Sequence, residues 1–471
     1  MSNWATVAAQ LDESLADAVP RSFWLDSADR PDPRDPLDEE VECDLAIVGA
    51  GLTGLWAAVE ALRAAPDRAV VVLEGERVAF GASGRNGGFC DSSLTHGLSN
   101  GISRFPAEIE RLAELGRENL AGIVETIDAF GIDARYEPTG VLDVATRPHE
   151  VADLEKHVEA LRRFGHEVDW LDRDAVRAEI ASPTYLGGVW QKTGVGILDP
   201  ARLAWGLATA AESLGATLHE ATPVTRIGAD GNGVVLETLG GRVRARHAVL
   251  ATSAFPPLVR AIRRYVVPVY DYILVTEPLT KEQRAAVGWK NRQGAADSGN
   301  QFNYYRLTSD DRILWGGYDA VYNFRNGLGP HLDQRPETYS VLLGNFFATF
   351  PELEGIRFTH RWGGAIDTCS RFCMTFGRAL GGRAIYVVGF TGLGVGASRF
   401  GARVALELAD GRDSELTRLR LVRTKPLPFP PEPLRWAGIT LTRKELARAD
   451  RTGERGLWLR VLDCLGLGFD S

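Results

Sequence analysis

The chain has 471 residues, 45% hydrophobic and 24% charged, with 53 Lys and Arg against 62 Asp and Glu for a net charge of −9. That length accommodates two domains with substantial cores, and the acidic balance argues against nucleic acid as a principal partner, because phosphate-backbone binding draws on a clustered basic surface. Cys43, Cys90, Cys369, Cys373 and Cys464 form no paired metal-ligand pattern, which argues against a disulfide framework or a zinc site and fits a cytoplasmic protein; no apolar run reaches the ~18 residues of a membrane span, and the acidic residues among Met1 to Val19 do not suit a signal peptide.

In chain order, residues 1–40 read as a helix followed by a Pro/Asp-rich arm packed on the surface. Residues 41–95 carry the densest signal. The apolar run Leu45 to Val48 suits a buried strand, and Gly49, Ala50, Gly51, Leu52, Thr53 and Gly54 complete GxGxxG before a helical pattern over Leu55 to Leu62. The first glycine permits a tight turn, the second admits a pyrophosphate close to the backbone, and the third lets helix pack on strand. Glu74 closes a second strand, Val70 to Glu74, where a carboxylate accepts hydrogen bonds from ribose hydroxyls. A second glycine-rich loop follows: Ala82, Ser83, Gly84, Arg85, Asn86, Gly87 and Gly88. The fingerprint by itself suits NAD and FAD equally.

Further along, Ala107 to Phe130, His149 to Phe164 and Asp174 to Ile180 read as helices, with a strand over Gly140 to Arg147. A helix over Arg202 to Leu214 and strand-like runs near Leu218, from Val224, and through Ala254 resume the logic of the first unit. Arg260 to Arg264 reads as a solvated helix face. Val266 to Cys373 contains strand-like runs rich in aromatic residues, as in an antiparallel sheet: Tyr270, Tyr272, Phe302, Tyr304, Tyr305, Trp315, Tyr318 and Trp362. Ala384 to Leu408 is a last strand, glycine turn and helix, with Gly392, Leu393, Gly394, Val395 and Gly396 at the helix start. These returns predict an α/β fold in which a Rossmann-like FAD- or NAD-binding domain (41–95, 199–254 and 374–410) is interleaved with an α+β substrate domain (96–198, its first part shared with the nucleotide domain, and 255–373). Residues 411–471 form an extension, whose apolar tail Gly456 to Phe469 docks on the body or on another copy, so a homo-oligomer stays open.

Taken together, IVGAGLTGLW, VVVLE, GASGRNGG, the Val224 strand, LATSA and GFTGLGVG resemble the FAD-dependent glycine/D-amino-acid oxidase (DAO) superfamily of glutathione-reductase-type fold. GASGRNGG, TEPL (Thr276 to Leu279), YYRL (Tyr304 to Leu307) and WGG (Trp362 to Gly364) are most similar to its gamma-glutamylputrescine oxidase-like branch. The resemblance implies FAD in an extended form: Gly49 to Gly54 at the pyrophosphate, Glu74 at the adenosine ribose, Val224 at the adenine through its backbone, and Ala82 to Gly88 along the ribityl chain. Gly392 to Gly396 would lie at the flavin N1 and C2 carbonyl, where a helix N-terminus stabilises negative charge.

The resemblance further implies hydride transfer from the α C–H of a small-molecule amine to flavin N5, giving an imine that hydrolyses to a carbonyl, with O2 reduced to H2O2 or another acceptor taking the electrons. Relatives that bind an α-carboxylate carry an arginine before a segment that aligns with Thr368 to Gly377. Gly364 and Ala365 stand in its neighbourhood, which favours a substrate without that carboxylate, unless Arg306, Arg361, Arg371 or Arg399 substitutes. Cys369 and Cys373 are displaced from the position of a flavin-linking cysteine, so FAD is expected to be non-covalent. Trp315 aligns with a lysine that promotes reaction with oxygen. Substrate-facing candidates are Tyr304, Tyr305, Arg306 and Trp362, with the loop Asp91 to His96; His96 is a general base or a simple hydrogen-bonding residue. Two alternatives stay open: a D-amino-acid or N-methyl-amino-acid dehydrogenase or oxidase, and a flavoprotein tailoring or modification enzyme with a non-amine substrate.

Overall fold

In the computed structural model residues 13–467 are described, so most of the helix expected at the N-terminus, and Phe469 of the tail, lie outside the described residues. The strands in chain order are β1 (Glu40–Val48), β2 (Val70–Leu73), β3 (Phe89–Asp91), β4 (Val141–Ala145), β5 (Val168–Leu171) and β6 (Gly187–Gln191). Next come β7 (Val195–Ile197), β8 (Thr217–His219), β9 (Arg226–Asp230), β10 (Gly233–Glu237), β11 (Arg242–Leu250) and β12 (Val266–Thr276). The last are β13 (Gly294–Asp297), β14 (Asn303–Leu307), β15 (Ile313–Tyr322), β16 (Phe358–Cys369), β17 (Thr375–Ala379) and β18 (Ala384–Val388).

The apolar run at the end of β1 is buried on both faces, as the centre of a parallel sheet requires. β8, β2, β1, β11 and β18 lie side by side and parallel, β17 closes one edge antiparallel, and β9 and β10 form a ribbon off the first half of β11. Successive β1 side chains feed two cores. Leu45 and Ile47 meet the helices Leu52–Ala64, Pro200–Ser213 and Gly394–Ala409, whereas Ala46 and Val48 pack with Val234, Leu236 and Val243 of the ribbon side. Val224 lies in the link between β8 and β9 rather than in a strand, and Arg260–Arg264 is a short 3-10 turn with Ile262 buried.

The second sheet runs β16-β12-β15-β14-β13-β4-β6-β5. Its neighbours are antiparallel except β4 and β13, which pair in parallel because the chain leaves β4 and returns to the same edge only after the intervening elements. The helix Pro336–Thr349 covers one face, and Trp289, Tyr305, Trp315, Phe346 and Phe350 interlock there in edge-to-face and stacked pairs. The helices Leu434–Thr452 and Leu457–Cys464 form a hairpin against this sheet, held together by Trp458 Nε1 donating to Thr442 Oγ1 at 2.9 Å.

Candidate active site

At the end of β1 the chain turns with Gly49 at φ +103°, where a Cβ would lie 2.6 Å from the Ala251 carbonyl oxygen. A Cβ on Gly54 would lie 1.9 Å from the Gly49 carbonyl oxygen, so only glycine lets the helix start this close to the strand. The first-turn amides of that helix have no partner inside it. In their place Ser83 Oγ accepts from the Leu52 amide at 2.9 Å, and Glu74 accepts from the Ala50 amide at 2.7 Å and the Glu76 amide at 3.0 Å. Burial raises the Glu74 pKa. Thr222 donates its amide to the Glu74 carbonyl at 2.7 Å, which brings the link carrying Val224 beside this carboxylate.

The loop Ala82–Gly88 is clamped from several sides. Asn86 donates to the Ala82 and Ser83 carbonyls and accepts from the Gly88 amide, while Trp24 Nε1 and Ser22 Oγ donate to the Asn86 and Gly84 carbonyls. Arg85 reaches across to Asp333 at 2.5 Å. At the far end, Gly396 carries no Cβ because one would lie 1.8 Å from the Asp91 carbonyl oxygen; this sets the N-terminus of the helix Gly394–Ala409 against β3. Asp367 of β16 accepts from the Gly389 amide at 2.6 Å and fixes the turn before that helix. Glycine-lined backbone, two helix N-termini and a buried carboxylate make a cradle that fits an extended dinucleotide.

A cavity of about 1120 Å³ opens at the Gly394 end of the cradle, bordered by Asn86, Gly87, Thr391, Gly392, Leu393 and Val395. Its opposite wall comes from the second sheet and carries carboxylates. Asp271 of β12 accepts from Tyr304 Oη at 2.5 Å, and burial pushes its pKa up to about 6. Asp143 of β4 is pushed up to about 7 by burial and by the nearby Asp91, itself raised by burial. His96, on the Asp91–His96 loop, is lowered to about 4 by burial and stays a neutral imidazole at pH 7. The Cys369 thiol borders the cavity but donates to the Cys373 carbonyl, with its pKa raised by burial.

The structure separates residues that the sequence groups together. Tyr304 borders the cavity, as do Tyr270, Phe302 and Tyr318. Tyr305, the next residue along β14, points the other way into the aromatic core and bonds Tyr185 at 2.6 Å. Arg306 is buried and donates to the Leu198 carbonyl at 2.6 Å, so it braces the Gly88 turn instead of facing substrate. Trp362 is likewise buried behind the glycine loop, its indole donating to the Arg85 carbonyl at 3.0 Å. Trp315 stacks on Tyr305 at 4.4 Å, on the face turned away from the cavity. Arg361, Arg371 and Arg399 do not border the cavity either: Arg361 lies over Tyr339, Arg371 bonds the Thr424 and Leu421 carbonyls, and Arg399 pairs with Glu60 at 2.8 Å.

Asp271 and Asp143 are the residues that sequence reasoning misses. Each is a lone carboxylate inside an apolar strand run, VVPVYDYILVT and VLDVA. That pattern is a usable signal, since an acid is seldom placed in a strand core without a partner or a task.

The model of the DAO family, FAD dependent oxidoreductases, matches residues 44–408. Gamma-glutamylputrescine oxidoreductase of Escherichia coli K12 is 32% identical over 397 residues, 83% of this chain and 89% of that protein. Glycine oxidase of Geobacillus kaustophilus is 27% identical over 334 residues, 66% of this chain and 86% of its own length. The crystal structure of glycine oxidase from that organism superposes with a TM-score of 0.66 at 22% identity, covering 82% of this chain and 99% of its own.

Proposed function

The chain belongs to the DAO family of FAD-dependent oxidoreductases, and from that premise we propose that it oxidises the C–N bond of a primary or secondary amine, with gamma-glutamylpolyamine-type amines among the candidates. The observation that carries this reading is the hydrogen-bonded pair Asp271–Tyr304 in the wall of a cavity whose other side is the Gly392–Val395 helix start. A carboxylate in a low-dielectric wall attracts an ammonium, and a pKa near 6 lets it receive that group's proton.

In this reading residues 41–95, 199–254 and 374–410 hold the cofactor without a covalent bond, and 96–198 with 255–373 shape the substrate side. Gly49–Gly54 and the first helical turn would hold the pyrophosphate, Glu74 the adenosine ribose, the Val224 backbone the adenine, Ala82–Gly88 the ribityl chain, and the helix start at Gly392–Gly396 the flavin ring. When bound, FAD would supply the two-electron chemistry that oxidises the C–N bond to an imine, which water hydrolyses to a carbonyl, and O2 or another acceptor would take the electrons. Asp271 orients the amine and holds its proton, Tyr304 fixes the carboxylate, and the apolar lining excludes water.

The D-amino-acid or N-methyl-amino-acid alternative needs a cation for the substrate carboxylate. Of the arginines that border the cavity, Arg443 and Arg455 are already paired with Asp319 at 3.0 Å and Asp463 at 2.6 Å, and Arg435 donates to the Pro430 carbonyl and to Asn326, which favours the amine. The test is anaerobic mixing of the purified yellow protein with a panel of amines, polyamine conjugates and amino acids. Bleaching of the flavin by amines is expected. Bleaching by amino acids alone would favour the alternative, and no bleaching by either class would favour a non-amine substrate.

A further inference from the structure

The cavity is roofed by chain that lies beyond the family match. Residues 44–408 carry the shared frame, yet the helices Leu434–Thr452 and Leu457–Cys464 supply a large part of the wall. On the first helix the inward stripe is Gly438, Thr442 and Leu446, spaced four apart as one helical face requires; on the second it is Trp458, Leu459 and Leu462. The hairpin is seated by buried polar anchors. Asp450 accepts from the Asn300 amide at 2.8 Å, the Gln301 amide at 2.9 Å and the Asn300 side chain at 2.5 Å, and so ties the hairpin to the β13–β14 loop at the cavity edge. Ser370 donates to the Leu427 carbonyl at 2.6 Å, and the Phe429 amide donates to the Arg264 carbonyl at 2.7 Å, anchoring the strap that leads into the hairpin.

The chemistry of this roof differs from that of the wall it faces. Its cations bordering the cavity are engaged: Arg443 with Asp319, Arg455 with Asp463, and Arg435 with the Pro430 carbonyl and Asn326. What it offers a guest is leucine and tryptophan surface. Gly438 faces open space, with nothing within 4 Å of where its Cβ would be, although glycine is a poor helix former. The wall opposite holds the carboxylates of Asp271 and Asp143.

Resting on the amine reading above, we propose that the C-terminal hairpin is the specificity element of this enzyme, and that the substrate is a monoamine whose non-reacting part is an uncharged apolar chain or ring housed beneath Gly438, Leu446 and Trp458. The rival occupant is a diamine, whose second ammonium would sit at Asp143. The two differ in what each added group contributes. A buried methylene strengthens binding about fourfold, whereas a terminal ammonium under leucine and tryptophan weakens it.

The experiment is anaerobic flavin reduction by the holoenzyme across n-alkylamines from butylamine to octylamine and the matching α,ω-diamines, which reads the donor side alone. Half-saturating concentration is expected to fall about threefold to fourfold per methylene in the monoamines, with each diamine weaker than its monoamine. Gly438→Leu, a substitution into open space on a helix, is expected to weaken octylamine at least tenfold while leaving butylamine within twofold. A flat monoamine series, diamines that outbind their monoamines, or a Gly438→Leu enzyme unchanged toward octylamine would each overturn the proposal. In those three outcomes amines still bleach the flavin, so the amine reading survives. If no amine bleaches it, that reading fails and this inference falls with it.

Discussion

Gly54 and Gly438 both lie in helices beside the same binding system, and they mark opposite kinds of surface. At Gly54 a Cβ would lie 1.9 Å from backbone, whereas at Gly438 nothing lies within 4 Å. The cradle is therefore backbone pressed against backbone, where the missing side chain is a condition of the fold. The roof is a side-chain surface hung from a few polar anchors, where the missing side chain is room. A cofactor common to a whole family calls for the first construction, because its phosphates are bound by amides whose positions tolerate little change. Substrate selection is served by the second, because its surface can change residue by residue without disturbing the sheet.

The contrast is broken most severely at the cradle. Gly54→Ala forces a carbon into the Gly49 carbonyl, an overpacking that backbone cannot relieve cheaply; the variant is expected to purify without flavin or not to fold, read by the ratio of flavin to protein absorbance. Next in size is the carboxylate wall. Asp271→Asn is expected to lower kcat/KM for amines about a hundredfold or more, in the range of a lost acid–base group. Because the Asp271 pKa is raised to about 6, wild-type kcat/KM should rise with pH through that value, and the variant should lack this limb.

Asp143→Asn is expected to stabilise. Burial raises the Asp143 pKa to about 7, so the folded state keeps a proton that the unfolded chain releases at pH ~4, and the resulting loss of stability builds up between those two values and levels off above about 7. The gain in Tm over wild type should therefore be larger at pH 8 than at pH 4. The mildest change is Ser83→Ala, which removes one acceptor from the Leu52 amide and should weaken FAD by about 1 kcal/mol, roughly fivefold in Kd.

The cradle was legible in the sequence because its constraints are local. Gly49, Gly51, Gly54 and Glu74 fall within one strand–helix–strand unit, and the helix start at Gly392–Gly396 repeats the same backbone logic. The cavity wall was only half legible. Tyr304 and Tyr305 are adjacent in sequence and opposite in space, since successive strand residues face opposite sides of a sheet, and nothing in the run NYYRL says which face looks at the cavity. Arg306 and Trp362 carry groups typical of a substrate site, yet they brace the cradle from behind. Asp271 and Asp143 lie far apart in sequence and meet the cavity only through the order β12-β15-β14-β13-β4. The hairpin is hidden for a similar reason. Gly456 to Phe469 reads as an apolar tail that docks on the body or on another copy, and only long-range anchors such as Asp450 to Asn300 fix where the hairpin lies.

The proposed oxidation of an amine at its C–N bond can be read in a single anaerobic turnover. One equivalent of octylamine added to the oxidised holoenzyme is expected to bleach one equivalent of flavin and to release one equivalent each of octanal and ammonia. A flavin that stays yellow with octylamine and with every other amine of the panel, or that bleaches without forming the carbonyl product, would contradict it.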